Sequence, residues 1–195
     1  MTEYRLFESD IPYVSTAEFH KDRERAPHLE QEWHQPRLHL AARFVQEALS
    51  RPDAHTVSDL GCGDGGLLSL LKGTPETISW GYDFCPANAS GWDERGVTAY
   101  VRDVFADLSQ VVVGDIVVMT ETLEHLADPH GVLRSLRGRA RYLVCSSPWN
   151  ENAAQHCDEH AWAWNQAGYA QLVQDAGWTI LRHEQAGLFQ VVLAE

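Results

Sequence analysis

Residues 57–66 read VSDLGCGDGG, an apolar run that enters a turn holding four glycines and continues into the apolar stretch LLSLL. Glycine frees the backbone of such a turn from Cβ clashes and admits a ligand close to the main chain. A helix that starts directly after it turns unpaired N–H groups toward an anion. Strand, glycine turn and helix in that order open a nucleotide-cofactor site, and such sites belong to parallel sheets with helical crossovers.

The rest of the chain supplies the sheet. Short apolar runs at 56–60, 78–82, 97–101, 115–119 and 142–145 have the character of strands buried on both faces. Leu38, Ala41, Val45, Ala48 and Leu49 recur at helical spacing after Pro36, which predicts an amphipathic helix ahead of the first strand. Leu67, Leu68, Leu70 and Leu71 predict a short helix stopped by Gly73. Asp128 with Pro129, and Asn165, mark two helix starts, the second helix stopping at Gly177. Runs 178–184 and 188–194 around Ala186 and Gly187 predict an antiparallel hairpin at a sheet edge. The alternation implies an α/β, doubly wound sheet with its ligand site beyond the carboxyl ends of the strands, at 61–66, Asp83, Asp103, 121–125 and 146–150.

The 195 residues, 44% hydrophobic and 22% charged, suit one domain over 36–195. Residues 1–35, with Tyr4, Phe7, Tyr13 and Phe19 scattered without a period, read as an N-terminal arm or cap. A formal net charge of -13 gives no global attraction to nucleic acid or to an anionic membrane. Lys21, Arg23, Arg25 and the positive charge between Arg134 and Arg141 read as solvated faces. Cys62, Cys85, Cys145 and Cys157 form no CxxC pair, so reduced thiols are expected. With no signal-like start and no apolar run of bilayer length, the expectation is a cytoplasmic protein without a membrane partner.

Gly61, Gly63 and Gly66 satisfy GxGxxG, and Asp83 follows where a ribose-binding acid is expected, so an NAD-binding oxidoreductase is formally open. Asp59 and Asp64 beside the turn repel a pyrophosphate. They favour the ammonium and sulfonium of S-adenosylmethionine, whose carboxylate the turn N–H groups could take. Asp83 suits ribose hydroxyls under either reading.

DLGCGDGG (59–66), GYDF (81–84), VRDVF (101–105), DIVVMTETLEHLADP (115–129), LVCSSPW (143–149) and the closing AGW with its hairpin resemble, in this order, the motifs of class I S-adenosylmethionine-dependent methyltransferases. The resemblance implies a Rossmann-like seven-stranded sheet of order 3-2-1-4-5-7-6 with strand 7 antiparallel. It implies that Asp83 holds the ribose, Phe84 walls the adenine, and Asp103 or Val104 meets it. Asp59, Gly61 and Gly63 take the methionyl end, with Cys62 and Thr120 completing the cofactor set. Core packing is the alternative for Phe84, and turn capping for Asp103. Arg37, in WHQPRLHL, resembles an arginine of the ubiquinone-type O-methyltransferases that faces the methionyl carboxylate; a solvated helix arginine is its alternative.

The segment TETLEHLAD (120–128) follows the fourth strand. Wound helically, it would put Glu121, Glu124 and His125 at i, i+3 and i+4 on one face. Such a set can hold a divalent metal ion, supply a general base through His125 with Glu124, or merely fold the loop. ExxEH also resembles the small-RNA 2′-O-methyltransferases, in which a further histidine joins the metal, and His160 is the candidate for it. Residues 146–164, with Trp149, Trp162 and Trp164, are expected to wall the acceptor pocket. HxxEH at 156–160 matches the zinc-peptidase pattern but falls in a loop rather than a long helix, and is set aside. The expected activity is O-methylation of a small-molecule acceptor. A metal-dependent RNA ribose 2′-O-methyltransferase and an NAD-binding oxidoreductase are the alternatives.

Overall fold

The computed structural model describes residues 3–5 and 22–195; Phe7, Tyr13, Phe19 and Lys21 lie outside the described residues. In chain order the strands are β1 (Glu3–Arg5), β2 (Thr56–Leu60), β3 (Ile78–Asp83), β4 (Ala99–Val101), β5 (Ile116–Thr120), β6 (Tyr142–Pro148), β7 (Trp162–Trp164), β8 (Ile180–Ala186) and β9 (Phe189–Ala194). The helices are α1 (Gln35–Leu49), α2 (Gly66–Leu70), α3 (Ala89–Arg95), α4 (Pro129–Arg137) and α5 (Gln166–Asp175).

Seven strands form one sheet in the order β4-β3-β2-β5-β6-β9-β8. Strands β2 to β6 pair in parallel, and β9 runs antiparallel to both neighbours. Counted along the chain within this sheet, that is the order 3-2-1-4-5-7-6 with the last strand antiparallel, as the motif order implied.

Alternate residues of a strand point to opposite faces, so one strand serves two cores. Ile116 and Val118 of β5 pack with Leu38, Ala41, Val45 and Ala48 of α1 on one side. Val117 and Met119 pack with Leu133, Leu136, Leu172 and Val173 of α4 and α5 on the other. Asp128 and Asn165 cap α4 and α5, accepting from Gly131 N and Gly168 N at 2.8 Å each. No helix among the described residues is long and apolar enough to cross a membrane.

Two expectations change. The 97–101 run shrinks to β4, and its Tyr100 and Val101 are exposed, because β4 is an edge strand rather than one buried on both faces. The 146–164 segment is not one acceptor-walling loop. Its start extends β6, and Trp162–Trp164 form β7, paired antiparallel with β1. The Trp162 indole N–H donates to Leu126 O at 2.9 Å and that of Trp164 to Glu3 Oε2 at 3.0 Å. Both rings are buried in the main core, so they pack the fold instead of facing an acceptor.

Candidate active site

A cavity of about 480 Å³ opens beyond the carboxyl ends of β2, β3 and β5. Gly61, Cys62, Gly63, Asp83, Phe84 and Thr120 line it, together with Arg37, Glu121, His125 and residues 23–28 of the arm. Trp149, Trp162 and Trp164 are absent from the lining.

The glycine turn is held from below. Gly61 has φ 85°, and a Cβ there would stand 2.7 Å from Thr122 Oγ1, so glycine is required twice over. Gly61 N and Cys62 N both donate to Tyr82 O, at 2.8 and 3.0 Å, and Gly63 N donates to Asp83 Oδ2 at 2.9 Å. These three N–H groups are committed to β3 and its end, so they are not the ones that would take a ligand carboxylate. Arg37 places a buried cation in the lining of the same cavity. It is 1% exposed, and its Nε has no hydrogen-bond partner. Its Nη2 donates to His34 Nδ1 at 3.0 Å, which requires a neutral His34; burial, with His28 and Arg37 nearby, pushes that imidazole down to about 3.

Asp59 lies fully buried at the end of β2, and neither carboxylate oxygen has a partner. Burial and the nearby Asp83 push its pKa up to about 7, with Arg37 pulling the other way. A buried carboxylate left unpaired is costly, and a ligand ammonium would relieve it. The Asp83 carboxylate is braced on three sides, by Gly63 N, by Cys85 N at 2.8 Å and by Asn88 Nδ2 at 3.1 Å. Arg37 and Asp83 line the cavity, and the buried Asp59 feels the charge of both; with Asp59 and Arg37 each keeping unpartnered polar atoms, the set fits an amino-acid nucleoside with one cation and one anion.

Other candidates fall elsewhere. Asp103 is exposed and caps a turn, accepting from Phe105 N and Ala106 N at 3.0 and 3.2 Å. Val104 is in the core, and Phe105 is the member of that motif that lines the cavity. Asp64 is 2% exposed but is neutralised by Arg25 Nε at 3.1 Å and Arg95 Nη2 at 2.7 Å. It therefore does not repel a pyrophosphate as an isolated charge would, and that argument rests on Asp59 alone.

The reacting centre is not a single helical face. Glu121 takes φ 55°, and a 3-10 turn follows at Leu123–His125. This break separates Glu121, which accepts from Ser146 Oγ at 2.8 Å, from the cluster formed by Glu124, His125 and His160. One ligand atom from each of those three lies within 4.8 Å of the others, and Glu121 falls outside the set. Glu124 is 0% exposed with both oxygens unpartnered; burial and Glu121 hold its carboxyl well above the usual range.

Both imidazoles have a defined tautomer. Nδ1 of His125 donates to Glu159 O at 3.0 Å, since a carbonyl can only accept. Nδ1 of His160 donates to the Glu151 carboxylate at 2.7 Å. The basic lone pair of each neutral ring is then on Nε2. His156, the first residue of the HxxEH pattern, is exposed and its ring bonds Cys157 O, which removes a peptidase centre.

A family model described as a methyltransferase domain matches residues 31–183. No curated protein matches the sequence. Among solved structures, an O-methyltransferase family protein from Burkholderia thailandensis aligns with TM-score 0.65 and 15% identity over 83% of this chain, which spans 55% of that protein. Magnesium protoporphyrin IX methyltransferase from Synechocystis PCC 6803, with bound S-adenosylmethionine, aligns with TM-score 0.62 and 16% identity, covering 88% of this chain and 85% of that one. Burkholderia thailandensis 1,6-didemethyltoxoflavin-N1-methyltransferase, with bound S-adenosylhomocysteine, aligns with TM-score 0.62 and 19% identity, covering 83% and 82%. The sheet order, the cavity beyond β2 and β3, and the family match over most of the chain agree: this protein belongs to the class I S-adenosylmethionine-dependent methyltransferases.

Proposed function

We propose that this methyltransferase acts on a hydroxyl oxygen of a small-molecule acceptor, and that the Glu124, His125 and His160 cluster handles the hydroxyl proton. The observation that carries this reading is the cluster itself, a fully buried and unpartnered carboxylate beside two histidines whose basic nitrogens are both Nε2. Asp83 holds the ribose, Arg37 the methionyl carboxylate and Asp59 the ammonium. Gly61, Cys62, Gly63 and Thr120 form the floor, and Phe84 with Phe105 the adenine wall, in place of Asp103 and Val104. Residues 23–28 serve as a cap over the cavity.

Bound there, S-adenosylmethionine supplies a methyl group on a sulfonium, already activated toward a nucleophile. The chain's residues supply positioning, exclusion of water and a place for the proton. His125 accepts the hydroxyl proton at Nε2, and the resulting imidazolium is stabilised by the Glu159 carbonyl at Nδ1.

The same three side chains also suit a divalent cation. Each histidine donates its other ring N–H to a carbonyl or carboxylate, the arrangement that orients metal-bound imidazoles. Held by Glu124, His125 and His160, such an ion would lower the hydroxyl's pKa, and His125 would then be a ligand rather than a base. An RNA ribose offers a comparable hydroxyl, but the net charge of -13 and the lining of the cavity by residues 23–28 favour a small acceptor.

The test is methyl transfer from labelled S-adenosylmethionine to a panel of hydroxylated small molecules and to an RNA oligonucleotide, with and without chelator. Wild type is compared with a Glu124→Ala, His125→Ala double variant. Transfer to small hydroxyl compounds that collapses in the variant is expected. Undiminished transfer by the variant would sink the role given to the cluster, and loss of activity on chelation would select the metal reading.

A further inference from the structure

Asn88 occupies the N-cap position of α3, where an asparagine ordinarily accepts from the first N–H groups of its own helix. Here its side chain makes no cap bond. It is 5% exposed, and both ends of its amide are used for something else. Nδ2 donates to Asp83 Oδ1 at 3.1 Å, and Oδ1 accepts from Ala26 N, in the arm, at 3.3 Å. Only one amide orientation satisfies both, because a carboxylate cannot donate and a backbone N–H cannot accept.

The arm around Ala26 is fastened at two sides of the cavity. Arg25 pairs with Asp64 and Glu94 on the cofactor side, while Arg23 pairs with Glu159, the residue whose carbonyl holds His125. Ala26, Asn88 and Asp83 all line the cavity.

We infer that Asn88 is a positioning residue that couples closure of residues 23–28 over the cavity to capture of the cofactor ribose at Asp83. The inference rests on the reading that Asp83 holds the ribose. Donation to a carboxylate polarises the amide and makes its oxygen a better acceptor for Ala26 N–H, so the two bonds support one another. Linkage is reciprocal: an arm that closes more readily tightens ribose binding, and a bound ribose holds the arm down.

The experiment measures adenosylhomocysteine affinity by calorimetry, and amide exchange of residues 24–28 with and without that ligand, in full-length wild type, Asn88→Ala, Asn88→Asp, Arg25→Ala and Asp83→Ala. In wild type the ligand slows exchange of the segment. Asn88→Ala is expected to bind about tenfold more weakly, the loss of one hydrogen bond to a charged group, and to lose the ligand-dependent protection. Asn88→Asp, which sets a second carboxylate against Asp83, binds more weakly still. A merely structural Asn88 would shift the melting temperature and leave that protection in place. Wild-type affinity in folded Asn88→Ala, or undiminished protection there, overturns the inference. Should Asn88→Ala not fold, Arg25→Ala loosens the arm without touching Asp83, and unchanged affinity in it overturns the coupling. Unchanged binding in Asp83→Ala would mean instead that the ribose reading itself has failed.

Discussion

Arg95 Nη2 lies 2.7 Å from Asp64 Oδ2, and Arg25 Nε reaches the same oxygen at 3.1 Å. The acid inside the glycine turn is thus a structural anchor, tying the turn to α3 and to the arm. Replacing it by Asn removes a buried carboxylate that both guanidiniums share and leaves them to the exposed Glu30 and, for Arg25, Glu94. Fully buried pairs broken in this way cost about 3–5 kcal/mol. Both guanidiniums keep some solvent contact, so about 2 kcal/mol is expected for Asp64→Asn. Urea unfolding checks the figure, and a variant as stable as wild type would remove Asp64 from its anchoring role.

Asp59 gives a pH signature. Its folded-state pKa is raised to about 7 by burial and by Asp83, against about 3.9 in an unfolded chain. The ligand-free fold therefore keeps the proton through that window, and loses stability as pH rises from about 4 toward 7. Binding a ligand ammonium requires the carboxylate. Adenosylhomocysteine should accordingly release a proton on binding at pH 6 and bind up to about tenfold more tightly at pH 7. Calorimetry in buffers of different ionisation enthalpy reads the proton directly. Asp59→Asn should abolish both effects, and a variant with wild-type pH dependence would place the proton elsewhere.

Glu124 predicts a conflict between stability and activity. With 0% exposure and both oxygens unpartnered, the carboxyl is a liability to the ligand-free fold. Glu124→Met fills similar volume without the polar atoms. It should raise the unfolding free energy of the chelated protein by about 1–3 kcal/mol while methyl transfer falls at least about 100-fold. A destabilised variant would mean that Glu124 has a partner in the fold and is not held for chemistry.

The features written locally were legible. The apolar run that became β5, the caps Asp128 and Asn165, and the hairpin of β8 and β9 each follow from a few neighbouring residues. The strand order was implied by the resemblance of the successive motifs to the methyltransferase family. What escaped depends on contacts between distant segments or on one backbone angle. ETLEH satisfies helical spacing, and only the positive φ of Glu121 splits its carboxylate from the Glu124 cluster. The arginines of Asp64 come from 31 and 39 positions away. Trp162 and Trp164 look like pocket aromatics until β7 is paired with β1 across the chain. Helix α3 shows almost no apolar period, with Trp92 its one large buried anchor, donating to Gly63 O at 2.8 Å.

Gly91 in α3 decides between two opposing effects. Glycine within a helix is worth about 1 kcal/mol less than alanine, so Gly91→Ala ought to stabilise α3 on propensity alone. A Cβ at this position, however, would stand 2.7 Å from Asp64 Cβ, 2.8 Å from Asp64 O and 3.0 Å from Arg25 Nε. The arginine can swing aside, but the backbone carbonyl of the cofactor turn can move only with the turn. Overpacking of this kind costs about 1–3 kcal/mol and shifts the backbone that causes it. The clash is expected to win. Gly91→Ala should melt lower than wild type and bind adenosylhomocysteine more weakly, because the displaced carbonyl belongs to the same turn as Gly63, whose N–H braces Asp83. A more stable Gly91→Ala with unchanged affinity would show that α3 can slide away from the turn, and that the tight packing of α3 on Asp64 is not what holds the cofactor loop in place.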